Sequence, residues 1–222
     1  MTVSVPNSES LFSLLLSFRV ILAALPFLLL FSMGIAFVAL EAKGLKRVCI
    51  DVCINLPVVF PPIGTGFLLV YLFGSEGVVG RNIGLDLMFT FPGLVVAAFI
   101  TGVPFVAQTI IAGIDRGVVK LCEASYTMGK GRFETFARIV LPLLRAHIVT
   151  GTLLASARIL GEVGISLMIG GNIVGKTNTI SLEIYNAVLD GEHDRALMLS
   201  LFLIVFSSAV FGAIKLLNRR NA

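Results

Sequence analysis

The sequence predicts an all-α, polytopic membrane fold of five spanning helices, and three observations carry that expectation. Hydrophobic residues make up 57% of the 222 and charged residues only 14%, against roughly 25% charged in soluble domains. Five apolar runs, about Val20 to Leu40, Ile54 to Phe73, Phe91 to Ile111, His147 to Ile169 and Ala196 to Leu217, each suit a hydrocarbon core about 30 Å thick, which takes roughly 20 helical residues to cross. Basic residues also crowd into alternate connections, as expected of a chain threaded back and forth through a bilayer.

Because five such runs leave only short connections, residues 1–222 read as a single transmembrane domain. Twelve of the 17 Lys and Arg residues lie in Glu41–Asp51, Asp115–Ala146 and Lys215–Ala222, while the intervening connections hold only Arg81, Lys176 and Arg195. By the positive-inside rule the N-terminus faces out and the C-terminus faces the cytoplasm, giving a multi-pass protein of the cell (inner or plasma) membrane. The net charge of +4 therefore reports topology and not a nucleic-acid partner.

Met1 to Phe18 holds no Lys or Arg and no small-residue cleavage site follows the first run, so that run reads as a retained helix. The second opens on Asn55-Leu-Pro-Val-Val-Phe-Pro-Pro62. Three prolines remove backbone donors, so this helix is expected to bend or break, which membranes tolerate where protein covers the gap or it lines a wet cavity. Pro61 and Pro62 accordingly either border a translocation path or form a packing kink. The third run starts at Pro92, favourable in a first turn, and a bend is expected at Pro104. The fourth carries Gly151, Ala155, Gly161 and Gly164, small residues that let helices approach closely in lipid.

The fourth run also contains Arg158 and Glu162, four apart and so on one helix face. Each charge near the bilayer centre costs at least about 2.5–3.5 kcal/mol, so the two are expected to pair or to face water. Between the fourth and fifth runs, Ile180 to Leu189 is amphipathic and reads as a shielding, re-entrant or partner-binding segment.

Chemistry-bearing clusters are sparse. Cys49, Cys53, Cys122, His147 and His193 lack zinc-ligand spacing, and no triad of nucleophile, base and orienting acid is spaced for catalysis. Neither a metal nor a cofactor is expected. Gly170-Gly-Asn-Ile-Val-Gly-Lys176-Thr177 matches the phosphate-loop pattern, but such a loop needs a preceding strand in an α/β sheet; here a membrane helix precedes it, and charge placement puts it outside.

One polar island interrupts the apolar sequence at about residues 115–145. It contains Glu123-Ala-Ser-Tyr-Thr-Met-Gly129 and, nine residues later, Ile139-Val-Leu-Pro142. Glycine in a helix interior costs about 1 kcal/mol relative to alanine, so Gly129 marks a turn and the segment reads as helix, turn, helix. Physics alone leaves an amphipathic loop on the lipid surface as the alternative.

That island resembles the EAA loop by which permease subunits of ATP-binding-cassette importers engage their ATPases, every signature position being filled except the third, Ser125 in place of Ala. The likeness extends through Leu56-Pro-Val-Val-Phe-Pro-Pro62, Phe89-Thr-Phe-Pro-Gly93, Ala157-Arg-Ile-Leu-Gly-Glu162 and Gly171-Asn-Ile-Val-Gly-Lys-Thr177. On these segments the chain is similar to the molybdate and tungstate permease family. The resemblance implies an importer permease (MetI-like) fold and a homodimer of permeases, served by separate ATPase subunits and an extracytoplasmic oxyanion-binding protein. It assigns ATPase coupling to Glu123, Ala124, Ser125, Gly129, Ile139, Leu141 and Pro142, and brings Pro61, Pro62, Arg158 and Glu162 toward an oxyanion pathway.

Under that resemblance the chain transports and hydrolyses nothing itself, with molybdate or tungstate as cargo and sulfate or another anion as the near alternative. An intramembrane enzyme and an ion-driven secondary transporter are more distant ones. Neither the additional N-terminal helix nor the cytoplasmic regulatory domain that some members carry is expected here.

Overall fold

The computed structural model describes residues 8–75, 77–83 and 86–220, and every regular element among them is helical. The N-terminal residues Met1–Asn7, expected to face out, the closing Asn221-Ala222 and the side chains of Arg219 and Arg220, counted above for topology, lie outside the described residues. In chain order the helices are α1 (Ser8–Glu41), α2 (Leu45–Val59), α3 (Pro62–Phe73), α4 (Val78–Ile83), α5 (Phe91–Ala112), α6 (Arg116–Thr127) and α7 (Arg132–Thr135). A π-helical turn (Phe136–Val140), α8 (Leu141–Leu143), α9 (Arg145–Leu160), α10 (Gly164–Gly170), α11 (Ile180–Leu189) and α12 (His193–Arg220) complete it.

Four stretches are long and apolar enough to cross a bilayer: Glu9–Glu41, Pro62–Arg81, which takes in α3 and part of α4, Phe91–Ala112 and His193–Leu216. A fifth is reached when Arg132–Leu143 and Arg145–Leu160, bent by 72° where they meet, count as one span. Helix α5 is the hub: 61% of its apolar window is buried, against 17% for α12. Burying one apolar side chain against another gains little when the alternative is lipid, so close packing and hydrogen bonds hold such a bundle together. Gly151 supplies the packing, since a Cβ there would lie 3.0 Å from the Val106 backbone of α5. Asn55 and Gln108 supply a side-chain hydrogen bond between α2 and α5.

The structure revises several boundaries expected from the sequence. The first helix begins at Ser8 instead of Val20, because its serines have polar partners: Ser17 Oγ donates to the Ser13 carbonyl at 2.8 Å and accepts from the Ile180 N–H at 2.9 Å. The second run is two helices, α2 starting at Leu45 and α3 at Pro62, with Phe60 and Pro61 extended between them. The fourth run breaks at Gly161–Val163, so His147–Ile169 is not one rod. Gly161 lies in that break, with no atom nearer than 3.8 Å to its would-be Cβ, and is not part of the crowded interface. Pro104 does not interrupt α5, which runs on to Ala112; Thr90 caps its start, accepting from the Gly93 N–H at 3.2 Å.

On the side assigned to the exterior, the 170–195 connection is tied into the bundle. Glu183, 3% exposed, is held by Asn178 and Arg195, and Arg195 also meets Glu192 at 2.9 Å and Glu9 at 3.4 Å. A buried carboxylate is tolerable only when paired and hydrogen-bonded in this way. Helix α11 is the amphipathic segment of the sequence, turning Ile180, Leu182 and Ala187 inward and Tyr185, Val188 and Leu189 outward.

Candidate functional site

The polar island folds as helix, turn, helix. Asp115 starts α6 by accepting from the Val118 N–H at 2.8 Å, satisfying one of the donors that every helix start leaves open. Val118, Cys122 and Ser125, spaced four and three apart, form the buried face of α6, and they pack with Phe136, Val140 and Leu144 beneath α1, α2 and α5. Gly129 has φ +79°, a left-handed conformation that favours glycine, and its N–H bonds the Tyr126 carbonyl at 3.0 Å.

The signature positions divide by exposure. Glu123, Ala124, Gly129 and Pro142 are exposed, Ile139 and Leu141 are half-buried, and Ser125 is fully buried. Ser125 is the one departure from the family pattern, and its hydroxyl lies 2.8 Å from that of Thr135, also fully buried, linking the two arms of the loop. Beyond the turn, Met128 and Phe133 are 70% and 76% exposed, an apolar pair suited to a partner surface.

Glu41, at the end of α1, ties the loop to the bundle. It meets Arg132 Nη1 at 2.9 Å and accepts from the Tyr126 hydroxyl at 3.3 Å. Burial and the Glu41 charge push the Tyr126 phenol above its usual value. Burial, with Glu123 and Glu41 nearby, likewise pushes up the Cys122 thiol, which therefore stays protonated. Neither Glu41 nor Thr135 stands out in sequence, because topology counts only Lys and Arg and a buried hydroxyl pair has no characteristic spacing.

At the far end of the loop the chain winds one residue wider per turn. Pro142 has no N–H and its ring would collide with the carbonyl four residues back; Leu141 N–H reaches back five residues to the Phe136 carbonyl, the spacing of a π turn. The helix then bends into α9.

A second constellation lies where the two broken spans meet. Arg158 Nη2 is 2.8 Å from Glu162 Oε2, and Glu162 Oε1 accepts from the Ile165 N–H at 2.9 Å, so one carboxylate both pairs the arginine and starts α10. Glu162 is 3% exposed and Arg158 38%. Both line a cavity of about 40 Å³ together with Pro57, Pro62 and Thr101. Pro61 does not join this cavity; it is the extended residue before α3. Gly164 and Pro62 bring the breaks together, a Cβ on Gly164 falling 2.9 Å from the Pro62 Cβ. A much larger cavity of about 590 Å³ runs past Phe31, Cys49, Cys53 and Phe99, but no charged side chain lines it, so it offers an anion nothing to bind.

The phosphate-loop look-alike turns its donors inward. The N–H groups of Lys176, Thr177 and Asn178 all bond the Ile173 carbonyl, and the buried Thr177 hydroxyl donates to the Gly170 carbonyl while accepting from the Ile173 N–H. Those donors are not available to a phosphate.

Comparison with known proteins adds an independent finding. Residues 29–222 match the family model for the binding-protein-dependent transport system inner membrane component. The probable transport system permease protein NifC of Clostridium pasteurianum is 35% identical over 83% of this chain, which spans 66% of that protein. The molybdenum transport system permease protein ModB of Azotobacter vinelandii is 35% identical over 87% of this chain and 88% of its own length; ModB of Mycobacterium tuberculosis is 33% identical over 94% and 79%. Among solved structures, a chain of a bacterial alginate ABC transporter, crystallised with its alginate-bound periplasmic protein, superposes with a TM-score of 0.71 at 20% identity, over 96% of this chain and 80% of that one. That likeness establishes the fold.

Proposed function

Because this chain belongs to the family of binding-protein-dependent transport system inner membrane components, we propose that it is the permease of an importer for a tetrahedral oxyanion, molybdate or tungstate first. The chain is a membrane permease and not an enzyme, and ATP hydrolysis belongs to a separate subunit. The relatives named for molybdenum transport support the cargo. A second copy of the chain completes the membrane unit in this reading, and an extracytoplasmic binding protein delivers the anion.

The observation that carries the coupling assignment is the turn at Gly129, where Glu123, Ala124 and Gly129 stand exposed beside Met128 and Phe133 while the opposite face of α6 packs into the bundle. A partner that grips the exposed face moves the packed face with it. Closure of the ATPase pair then pushes α6 and α7 as one body, held by Ser125–Thr135, and the bundle tips between outward and inward openings. Ile139, Leu141 and Pro142 transmit that motion toward α9, and the pathway runs past Pro61, Pro62, Arg158 and Glu162.

The direct test is ATP-driven uptake of labelled molybdate by the permease and ATPase reconstituted with the binding protein, with tungstate and sulfate as competitors. Competition by tungstate but not by sulfate is expected; failure to take up any of the three removes the oxyanion assignment. For coupling, Gly129→Asp should insert normally yet separate ATP hydrolysis from uptake, and unaltered uptake would exclude the loop as the coupling element.

A further inference from the structure

Thr101 lies in α5, whose apolar window is more buried than those of the other three candidate spans. Threonines on membrane helices ordinarily turn the hydroxyl onto the carbonyl four residues back, as Thr109 does to Phe105 at 2.6 Å and Thr152 to Ile148 at 2.7 Å. The Thr101 hydroxyl does not. It is buried without a partner, and its residue, 6% exposed, lines the small cavity that Arg158 and Glu162 share. A buried hydroxyl left unpaired is unfavourable, so its place on this wall calls for a partner in another state of the protein.

The neighbouring charges indicate what that partner is. Arg158 has five N–H donors in a planar fork, yet among the described residues its guanidinium meets only Glu162. Glu162 is therefore an internal anion seated on the one cation of the cavity. Space for about 40 Å³ accommodates a water molecule and not a tetrahedral oxyanion with four oxygens. Larger cargo requires the two helix breaks, in contact at Pro62 and Gly164, to part.

We infer that this cavity is an oxyanion site in its locked state, in which the Thr101 hydroxyl is an unused ligand and Glu162 holds Arg158 until a dianion displaces it. The inference rests on the oxyanion reading above and adds to it a ligand and an exchange of anions. When the breaks separate, the cargo takes the Arg158 fork and the Thr101 hydroxyl, while Glu162 keeps the Ile165 N–H. When they close, Glu162 returns to Arg158 and expels the anion, so the site does not retain what it transports.

The test uses the permease–ATPase complex reconstituted with the binding protein at a fixed, saturating concentration, and labelled molybdate. Thr101→Val, which keeps the side-chain shape, should raise KM about tenfold, the loss of one hydrogen bond to a charged group, and Thr101→Ser should restore it. Glu162→Gln keeps an acceptor for Ile165 but removes the competing charge, and should lower KM. Thr109→Val, whose hydroxyl is already engaged by its own helix, is the control and should leave KM unchanged. An unmoved KM in Thr101→Val, the result if the hydroxyl merely holds a structural water, overturns the ligand assignment. An unchanged or raised KM in Glu162→Gln overturns the exchange. Both of these are read against intact wild-type uptake, whereas a wild-type complex that carries no oxyanion overturns this inference together with the reading it rests on.

Discussion

The polar loop and the central break each contain an arginine–glutamate pair four residues apart, and the two pairs have nearly the same length: 2.9 Å for Arg138 with Glu134 and 2.8 Å for Arg158 with Glu162. Their surroundings differ. Glu134 is 39% exposed and shared with Lys130, whereas Glu162 is 3% exposed and, among the described residues, pairs with Arg158 alone. At the surface, water and salt already stabilise each charge, so the pair adds little. In the break the buried Glu162 depends on Arg158, which itself keeps contact with solvent. Equal distances therefore carry unequal energies, and only the second pair can store a charge for later use.

The largest expected difference follows from deleting the acid in each place. Glu162→Ala should destabilise the detergent-solubilised protein by about 3 kcal/mol, the lower end of the range for breaking a buried pair because Arg158 retains some solvent; Glu134→Ala should cost less than about 1 kcal/mol. Thermal unfolding compares them, and equal losses would erase the contrast. A smaller effect tests the hydroxyl link inside the loop. Ser125→Ala strands the Thr135 hydroxyl and should cost about 1–3 kcal/mol, while Ser125→Ala with Thr135→Val should recover most of that loss, since removing both partners of a buried bond is nearly neutral. A double substitution worse than the single one would show that the hydroxyls are not partners. The smallest effect belongs to the tether at Glu41. Its ion pair with Arg132 is exposed, so Glu41→Gln should change stability by less than about 1 kcal/mol, and the difference should disappear in high salt.

The helix–turn–helix fold of the polar loop was legible in the sequence because its signals are local. A glycine in a polar helical pattern marks a turn whatever surrounds it, and the φ of +79° at Gly129 agrees. The central break was legible only in part. Pro57, Pro61 and Pro62 announced one half of it, since a missing N–H can be read from a letter. The other half, at Gly161–Val163, sits in a continuous apolar run where small residues suit a close-packed helix equally well. Thr101 left no trace at all, because nothing in sequence separates a threonine bonded to its own helix from one whose hydroxyl is unpaired. The early start of α1 escaped for a related reason: Ser10, Ser13 and Ser17 lower the hydropathy of a segment in which Ser17 bonds its own helix and both Ser10 and Ser17 bond the distant 170–195 connection.

The π turn at Phe136–Val140 fixes a rotational key between the two ends of its segment. One extra residue in a turn rotates everything beyond it by about 100° relative to an uninterrupted α-helix. The face that α6 and α7 offer outside the membrane and the face that α9 turns toward α5 are thus phased by a single peptide unit. Regular α-helical winding through Phe136–Val140 with no residue removed would turn the exposed face away by about that angle, whereas deleting one residue there would take out the extra peptide unit and leave the two faces in phase.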